Sequence, residues 1–529
     1  MERDPLVYAK AASFHKSVAP RLNRVVTKLT ERTMLDSNDA PGSAELGDMP
    51  PAEFREALHR VADWVADYRE SIEELRISPD IAPGEISAQL PQVPPEAPAR
   101  FSDIFRDFQK SIIPGVVHWG HPSFFGYFGS TTTAAGILGE MLMGALNVSA
   151  MTWRTSPSAT ELETLVLDWL RQMLGLPTEY TGVVYDTASV AVMHALAAAR
   201  EDLGLNARAH GLCGRPEVPR LRIYASDQAH SSVEKAAITL GIGEQNVRRV
   251  PCETTYRMDV SALRSAIDTD LRGGLSPMAV IATVGTTSTT SVDPVDEIAA
   301  LCDEHRLWLH VDAAYGGAMA LLPEGRSVMK GVEAADSIVV NPHKWLFVPL
   351  DFSALYLRRP ELLRATFSLV PEYLRGDAEQ AERNYMDYGI QLGRRFRALK
   401  AWMVISSFGT AGLAARIREH IRLARLFASW LDEDPEFELL APVKMAVVCF
   451  RVVPDGLGRT TALTEELNNF NRRLVETVNR TGKVYLTYTT LNGQVAMRLA
   501  VGNILTTERH LALAFNLIRR EAAQLGTPR

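Results

Sequence analysis

A single lysine, Lys344, interrupts the mostly apolar run D-S-I-V-V-N-P-H-K-W-L-F-V-P-L-D-F at 336–352. A lone buried ammonium is costly, and such a group responds by giving up its proton. The neutral amine that results is a nucleophile whose natural partner is a carbonyl, with which it forms an imine. The bland alternative is a lysine that snorkels from a strand end and keeps its ammonium in water. Other residues decide between the two. Asp312 follows the apolar run L-W-L-H-V (307–311), 32 residues before Lys344, and Ala313, Ala314, Gly316 and Gly317 leave room beside it. A carboxylate there needs a cationic partner, and a protonated pyridine nitrogen would be one.

Thr187, Ala188 and Ser189, in Y-D-T-A-S-V-A-V-M-H (185–194), open an Ala-rich stretch. They could offer N–H groups and hydroxyls to an anion at a helix N-terminus, or form an ordinary cap. Asp186 would oppose that anion unless its carboxylate turns away to cap the helix. His230, in S-D-Q-A-H-S-S-V-E-K-A (226–236), could stack on a flat cofactor or be structural. Thr287, in A-T-V-G-T-T-S-T-T-S-V-D-P (282–294), could touch the opposite side or belong to a plain loop. Jointly, a strand-end aspartate, a strand-end lysine one βα unit later and an upstream anion turn describe a site for pyridoxal 5′-phosphate (PLP). The lysine forms the imine, the aspartate keeps the ring nitrogen protonated, and the turn grips the phosphate.

The elements that must position these residues are legible as apolar runs. L-R-I-Y-A (221–225), M-A-V-I-A-T-V (278–284), L-W-L-H-V, D-S-I-V-V (336–340) and S-A-L-Y-L-R (353–358) alternate with helical stretches. That alternation predicts an α/β fold with a mostly parallel sheet covered on both sides, whose ligands gather at the carboxyl ends of the strands. A helix is expected over 156–177, with Ser156 as N-cap, Pro157 at its first position, and Gly175 and Pro177 stopping it. Upstream, D-S-N-D-A-P-G-S-A-E-L-G-D-M-P-P (36–51) has linker composition, a helix follows through Phe54, Leu58, Val61, Val65 and Ile72, and 91–101 is proline-rich and extended. After 392–402 a long helical stretch precedes A-V-V-C-F-R-V (446–452), V-Y-L-T-Y-T-T-L (484–491) and Q-V-A-M-R-L-A-V (494–501), with a last helix after Thr507, which is an α+β pattern.

Composition excludes other classes. With 46% apolar and 22% charged residues and a net charge of −7 over 529 residues, the chain reads as globular, and no basic field advertises nucleic acid or anionic lipid. Cys213, Cys252, Cys302 and Cys449 lie far apart without metal-ligand spacing, so neither a disulfide framework nor a metal site is expected, and a cytoplasmic location is. No run reaches the roughly 18 consecutive apolar residues of a membrane span. The start, M-E-R-D-P, lacks the apolar core of a secretory signal. The basic, weakly amphipathic 10–32 reads as a surface helix, a tail or a docking arm.

N-P-H-K-W, H-V-D-A-A-Y, D-Q-A-H-S-S-V-E, H-W-G-H-P-S-F-F-G-Y-F and S-P-S-A-T-E-L-E together closely resemble the group II PLP-dependent decarboxylases, the aromatic-L-amino-acid decarboxylase family. The likeness runs from about Met49 to near the C-terminus. It implies the fold type I (aspartate-aminotransferase-like) subunit, working as a homodimer with shared sites. The implied division is an extension at 1–48, an N-terminal dimerisation segment at 49–133, a large PLP-binding domain at 134–400 and a small C-terminal domain at 401–529. By motif, Lys344 is the imine lysine, Asp312 pairs with the pyridinium, His230 stacks on the ring, Ala314 lies on its other face and Thr287 is near. Thr187, Ala188, Ser189, Asn341 and His343 would hold the phosphate. In 369–389, whose charged composition suggests a mobile lid, Tyr373 matches the family's proton donor, although it could also be a tyrosine packed at a loop base. Relatives with phenylalanine there tend to be aldehyde synthases.

The resemblance further implies a substrate pocket drawn from Trp119, Tyr127, Phe128, Gly129 and Ser130, with Ser149 and Met151 from the partner subunit. Animal relatives have proline at Gly129 and bulkier apolar residues at Ser149 and Met151, so a roomier pocket, suiting indole, is expected. No cation in this set would neutralise an acidic side chain. The expected activity is decarboxylation of an aromatic L-amino acid (tryptophan, tyrosine, dopa or phenylalanine) to its amine and CO₂. Alternatives are another L-amino acid such as histidine, an aldehyde synthase, a transaminase, or a PLP-binding regulator without turnover.

Overall fold

The computed structural model describes residues 48–129, 131–369, 383–454 and 464–526. Two compact units are distinguished, the first comprising the described residues up to Arg69 together with Arg100–Ser102, the second the rest. In the first, the helix Pro51–Glu70 carries Glu53 in its opening turn and Arg69 in its last, charges that complement the helix dipole.

The second unit is organised by a seven-stranded sheet in the order β1-β7-β6-β5-β4-β2-β3. Its strands are β1 (Thr181–Tyr185), β2 (Leu221–Ser226), β3 (Val247–Val250), β4 (Ser276–Thr283), β5 (Trp308–Asp312), β6 (Ser337–Val340) and β7 (Ser353–Leu357). From β3 across to β6 the neighbours are parallel, whereas β7 pairs antiparallel with both β6 and β1. Two reversals restore direction, so β1 ends on the same edge as β2, β4, β5 and β6. This is the mostly parallel α/β sheet expected of fold type I.

β4 to β7 are buried almost throughout, as strands covered by helices on both faces must be. β1 and β3 were not among the runs singled out, because T-G-V-V-Y and V-R-R-V are short and broken by glycine or charge. The antiparallel β7 follows from connection length, since the chain returns from β6 over only a helical turn and a short loop, too little for a parallel crossover.

The helix expected over 156–177 spans Pro157–Leu174 and ends at Gly175 in the left-handed region (φ 69°). Ser156 stands at its N-cap but makes no side-chain cap bond. The long helix Ala398–Asp432 kinks at Gly409 (φ 62°). By length and composition it is apolar enough to cross a bilayer. The count of consecutive apolar residues missed this because glycine, serine and threonine interrupt the run without making it polar. Its apolar face is nonetheless buried inside the fold, with Val404, Leu413, Ile417, Leu423 and Phe427 in the core. A second, antiparallel sheet orders β10 (Thr487–Leu491), β11 (Gln494–Ala500), β9 (Val447–Val452) and β8 (Phe437–Leu439), flanked by the helices Thr464–Arg480 and Glu508–Leu525.

Candidate active site

Strand ends bring the chemistry together. Asp312 closes β5, and Asn341 follows β6 as the N-cap of the one-turn helix Pro342–Trp345, which carries His343 and Lys344. His230 lies in the turn after β2, Thr287 in the loop after β4, and Thr187 heads the helix Ala188–Asp202 after β1. All ten residues assigned to the cofactor line one cavity of about 1000 Å³, together with Trp119, Tyr127 and Phe128.

Within it Lys344 is partly buried, between the buried His343 and Trp345. Burial lowers its pKa, the nearby Arg498 guanidinium lowers it further, and only Asp312 acts in the opposite direction. The side-chain nitrogen lies 5.1 Å from the centre of the Phe128 ring. Asp312 is itself buried, and its Oδ1 accepts the Ala314 N–H at 3.0 Å. His230 accepts the Ser232 N–H on Nδ1 at 3.1 Å, which leaves the ring proton on Nε2. With Nδ1 an acceptor the ring is the neutral tautomer, and desolvation lowers its pKa, with Asp312 opposing. His343 accepts the Phe352 N–H on Nδ1 at 2.9 Å, and burial, with Lys344 beside it, pushes its pKa down to about 3. Asn341 is oriented by Ser353, whose hydroxyl donates to its Oδ1 at 2.7 Å.

The anion turn is modified from expectation. Asp186 does turn its carboxylate aside, but it accepts the Thr187 N–H at 2.9 Å. That donor is therefore engaged, and the turn offers an anion the later N–H groups and the hydroxyls of Thr187 and Ser189. The glycines after Asp312 also serve a different purpose from the one read in the sequence. A Cβ on Gly316 would strike the carbonyl of Val284, just after β4, and one on Gly317 would crowd the Val340 side chain on β6, so close packing accounts for both glycines.

Arg498, on β11, was missed. It is buried, its Nε donates to Ser288 O at 3.1 Å, its Nη1 donates to Tyr127 O, and its plane lies 4.6 Å from the Phe128 ring centre. Its Nη2 has no hydrogen-bond partner among the described residues, nor has the buried hydroxyl of Thr283, and both residues line the cavity. Burial lowers the pKa of this arginine. The signal was present in V-A-M-R-L-A-V, one cation in an apolar strand, as at Lys344. Behind the lysine, Phe128, Tyr315 and Trp345 stack in series at 4.0 and 4.6 Å, and the Trp345 indole donates to His420 at 3.0 Å.

Of the substrate set, Trp119 and Tyr127 stack at 5.2 Å, and Tyr127 takes a positive φ of 54°. Gly129 is not among the lining residues, and a Cβ there would lie 3.0 Å from the Gly502 backbone, so a side chain at this place needs the Gly502 loop to give way. Ser149 and Met151 do not line the cavity of their own chain. Ser130 and Tyr373 lie outside the described residues, as does almost all of the extension at 1–48.

The residues fit PLP. A cavity-lining amine of lowered pKa, a buried carboxylate, an imidazole accepting on Nδ1, a donor-rich turn and two buried polar atoms still seeking partners converge on one space. Comparison with known proteins agrees. Residues 83–453 match the pyridoxal-dependent decarboxylase conserved domain. Tryptophan decarboxylase 2 of Oryza sativa subsp. japonica is 41% identical over 494 residues, covering 92% of this chain and 97% of that protein. A phenylacetaldehyde synthase of Arabidopsis thaliana is 38% identical over 490 residues, covering 91% and 98%. The crystal structure of an Oryza sativa TDC with PLP and tryptamine superposes with a TM-score of 0.86 at 38% identity, covering 91% of this chain and 99% of that one.

Proposed function

The chain belongs to the pyridoxal-dependent decarboxylase family, in its aromatic-amino-acid branch, and from that premise we propose that it decarboxylates an aromatic L-amino acid to the amine, in a homodimer with shared sites. The observation that carries this reading is the convergence of Lys344, its pKa lowered, with Asp312, His230 and the 187–189 turn on one cavity.

When bound, PLP supplies an anchor for the substrate amine and a π system that accepts the electrons of the Cα–carboxylate bond. Lys344, whose pKa desolvation in the cavity lowers, is the amine that would attach to its aldehyde carbon. Asp312 would hold the proton on the pyridine nitrogen. His230 would lie on the ring as a neutral imidazole with its proton on Nε2. Ala314 would face the other side, with Thr287 near. Thr187, Ala188, Ser189, Asn341 and His343 would hold the phosphate through N–H and side-chain donors. Arg498 presents a guanidinium nitrogen to the cavity wall for an anionic group of the substrate. Trp119, Tyr127 and Phe128 give that wall an aromatic surface suited to a flat side chain. Tyr373 would deliver the proton to Cα after CO₂ leaves.

Two features support a second copy. Leu138, Leu142 and Leu146 form an exposed stripe on the helix Ala134–Leu146, each half exposed or more. Ser149 and Met151, absent from their own cavity, follow directly on that stripe. The four cysteines are unpaired, which suits the reducing cytoplasm.

The test is CO₂ and product identification with tryptophan, tyrosine, dopa, phenylalanine and histidine. Amine from an aromatic substrate is expected, and aldehyde with peroxide in its place would overturn the decarboxylase reading in favour of a synthase. Tyr373→Phe should move product from amine toward aldehyde, and an unchanged amine yield would remove the role given to that tyrosine.

A further inference from the structure

The segment that the proposed dimer needs across its interface, Ser149–Met151, is held from within its own chain. The Ala150 N–H donates to Arg394 O at 2.7 Å and the Met386 N–H to Met151 O at 3.1 Å. The Arg394 N–H donates to Ser149 Oγ at 3.3 Å, and its Nη1 to Ala150 O at 3.1 Å. The same guanidinium forks onto Glu163, Nη1 to Oε2 at 3.0 Å and Nη2 to Oε1 at 2.6 Å. Nη2 also donates to Val184 O at 2.9 Å, while the Val184 N–H donates to Glu163 Oε1 at 3.2 Å. Arg394 is 7% exposed and Glu163 1%. The ring of Tyr385 covers the guanidinium at 4.8 Å, and the Tyr385 hydroxyl bonds Thr164 at 2.9 Å.

A buried ion pair of this kind adds little stability over a well-packed apolar pair. What it adds is direction, because a planar fork with donors in fixed positions sets both distance and angle of everything it touches. Here it touches β1 through Val184, the helix Pro157–Leu174 through Glu163, and the 149–151 segment through Ala150. No apolar side chain could hold those three together by hydrogen bonds. We propose that Arg394, clamped by Glu163, is a positioning residue that sets the Ser149–Met151 wall against the sheet and thereby decides which aromatic side chain the site accepts. This rests on the reading that the wall faces the partner's lysine.

The experiment compares the parent enzyme with Arg394→Lys and with the paired swap Arg394→Met/Glu163→Leu. Thermal melting and PLP affinity report folding, and kcat and KM are measured separately for tryptophan and tyrosine. The paired swap is expected to fold and bind PLP as the parent does, while the ratio of the two kcat/KM values moves roughly tenfold, mainly through KM. Arg394→Lys, which keeps a charge beside Glu163, should move the ratio part of the way, and it gives the reading if the paired swap does not fold. A folded variant with the parental ratio overturns the proposal. Co-expression with Lys344→Ala separates the two readings. In that hybrid the only reactive lysine belongs to the swapped chain and its wall comes from the unaltered one, so the parental ratio should return. A ratio that stays altered means the wall serves its own chain, which sinks the shared-site reading and leaves the role of Arg394 standing.

Discussion

Lys344, partly buried, and Lys400, fully buried, both have their pKa lowered by desolvation, yet their surroundings differ. Lys400, with none of its side chain exposed, bonds Glu140, and Asp351 also favours its charge. Lys344 has no ion pair among the described residues; Asp312 acts on it from a distance and Arg498 works against it. A buried cation with a carboxylate in contact keeps its proton and becomes part of the scaffold. One without such contact is pushed toward the neutral amine, and a neutral amine can react. The Arg394–Glu163 pair belongs with Lys400. The buried histidines belong with Lys344, since burial holds His194, His310 and His420 down to about 4 and His343 to about 3.

The largest expected effect tests the reactive side. Lys344→Ala should lower amine formation by on the order of 10⁴-fold or more. Borohydride reduction of the PLP-loaded parent should add mass to the Lys344 peptide and leave the Lys400 peptide unchanged, and label on Lys400 would break the comparison.

Acid comes next. Each of the four histidines is depressed below its ordinary value near 6.5, so the unfolded chain binds protons that the folded one refuses. The stability contributed is whole above about pH 6.5 and is lost as pH falls toward 4, at about 1.4 kcal/mol per pH unit for each histidine. Asp293, its pKa raised by burial to about 6, works the other way and offsets part of one of them. Urea midpoints measured from pH 7 to 4 should fall steeply below 6.5, and a flat profile would mean that these rings are protonated in place.

Smaller is the effect on the paired side. Lys400→Met, which strands Glu140, should cost about 2–4 kcal/mol of unfolding free energy by denaturant titration, with kcat changed far less than by Lys344→Ala. Parental stability would show that contact with Glu140 does not hold the charge.

Local pattern made much of this molecule legible. Apolar runs of strand length gave the sheet's central members, and Asp312 and Lys344 stood out because a charge at the end of a buried strand is expensive and therefore informative. Arg498 escaped notice although it sits in the same kind of run, because nothing in sequence says that β11 is folded beside the loop after β4. Gly129 was read as room for a ligand, yet its missing side chain accommodates Gly502 from a distant loop. The capture of the Thr187 N–H by Asp186 is a choice between two local hydrogen bonds that composition cannot rank.

What the sequence determined by itself is the chemistry of single residues and the period of the elements that carry them, since both depend on side-chain type and near neighbours. Tertiary structure alone decided which buried charge found a partner and which did not. Contact between an ammonium and a carboxylate depends on ångström-scale approach between segments far apart in the chain, and that distance is what separates a structural lysine from a reactive one.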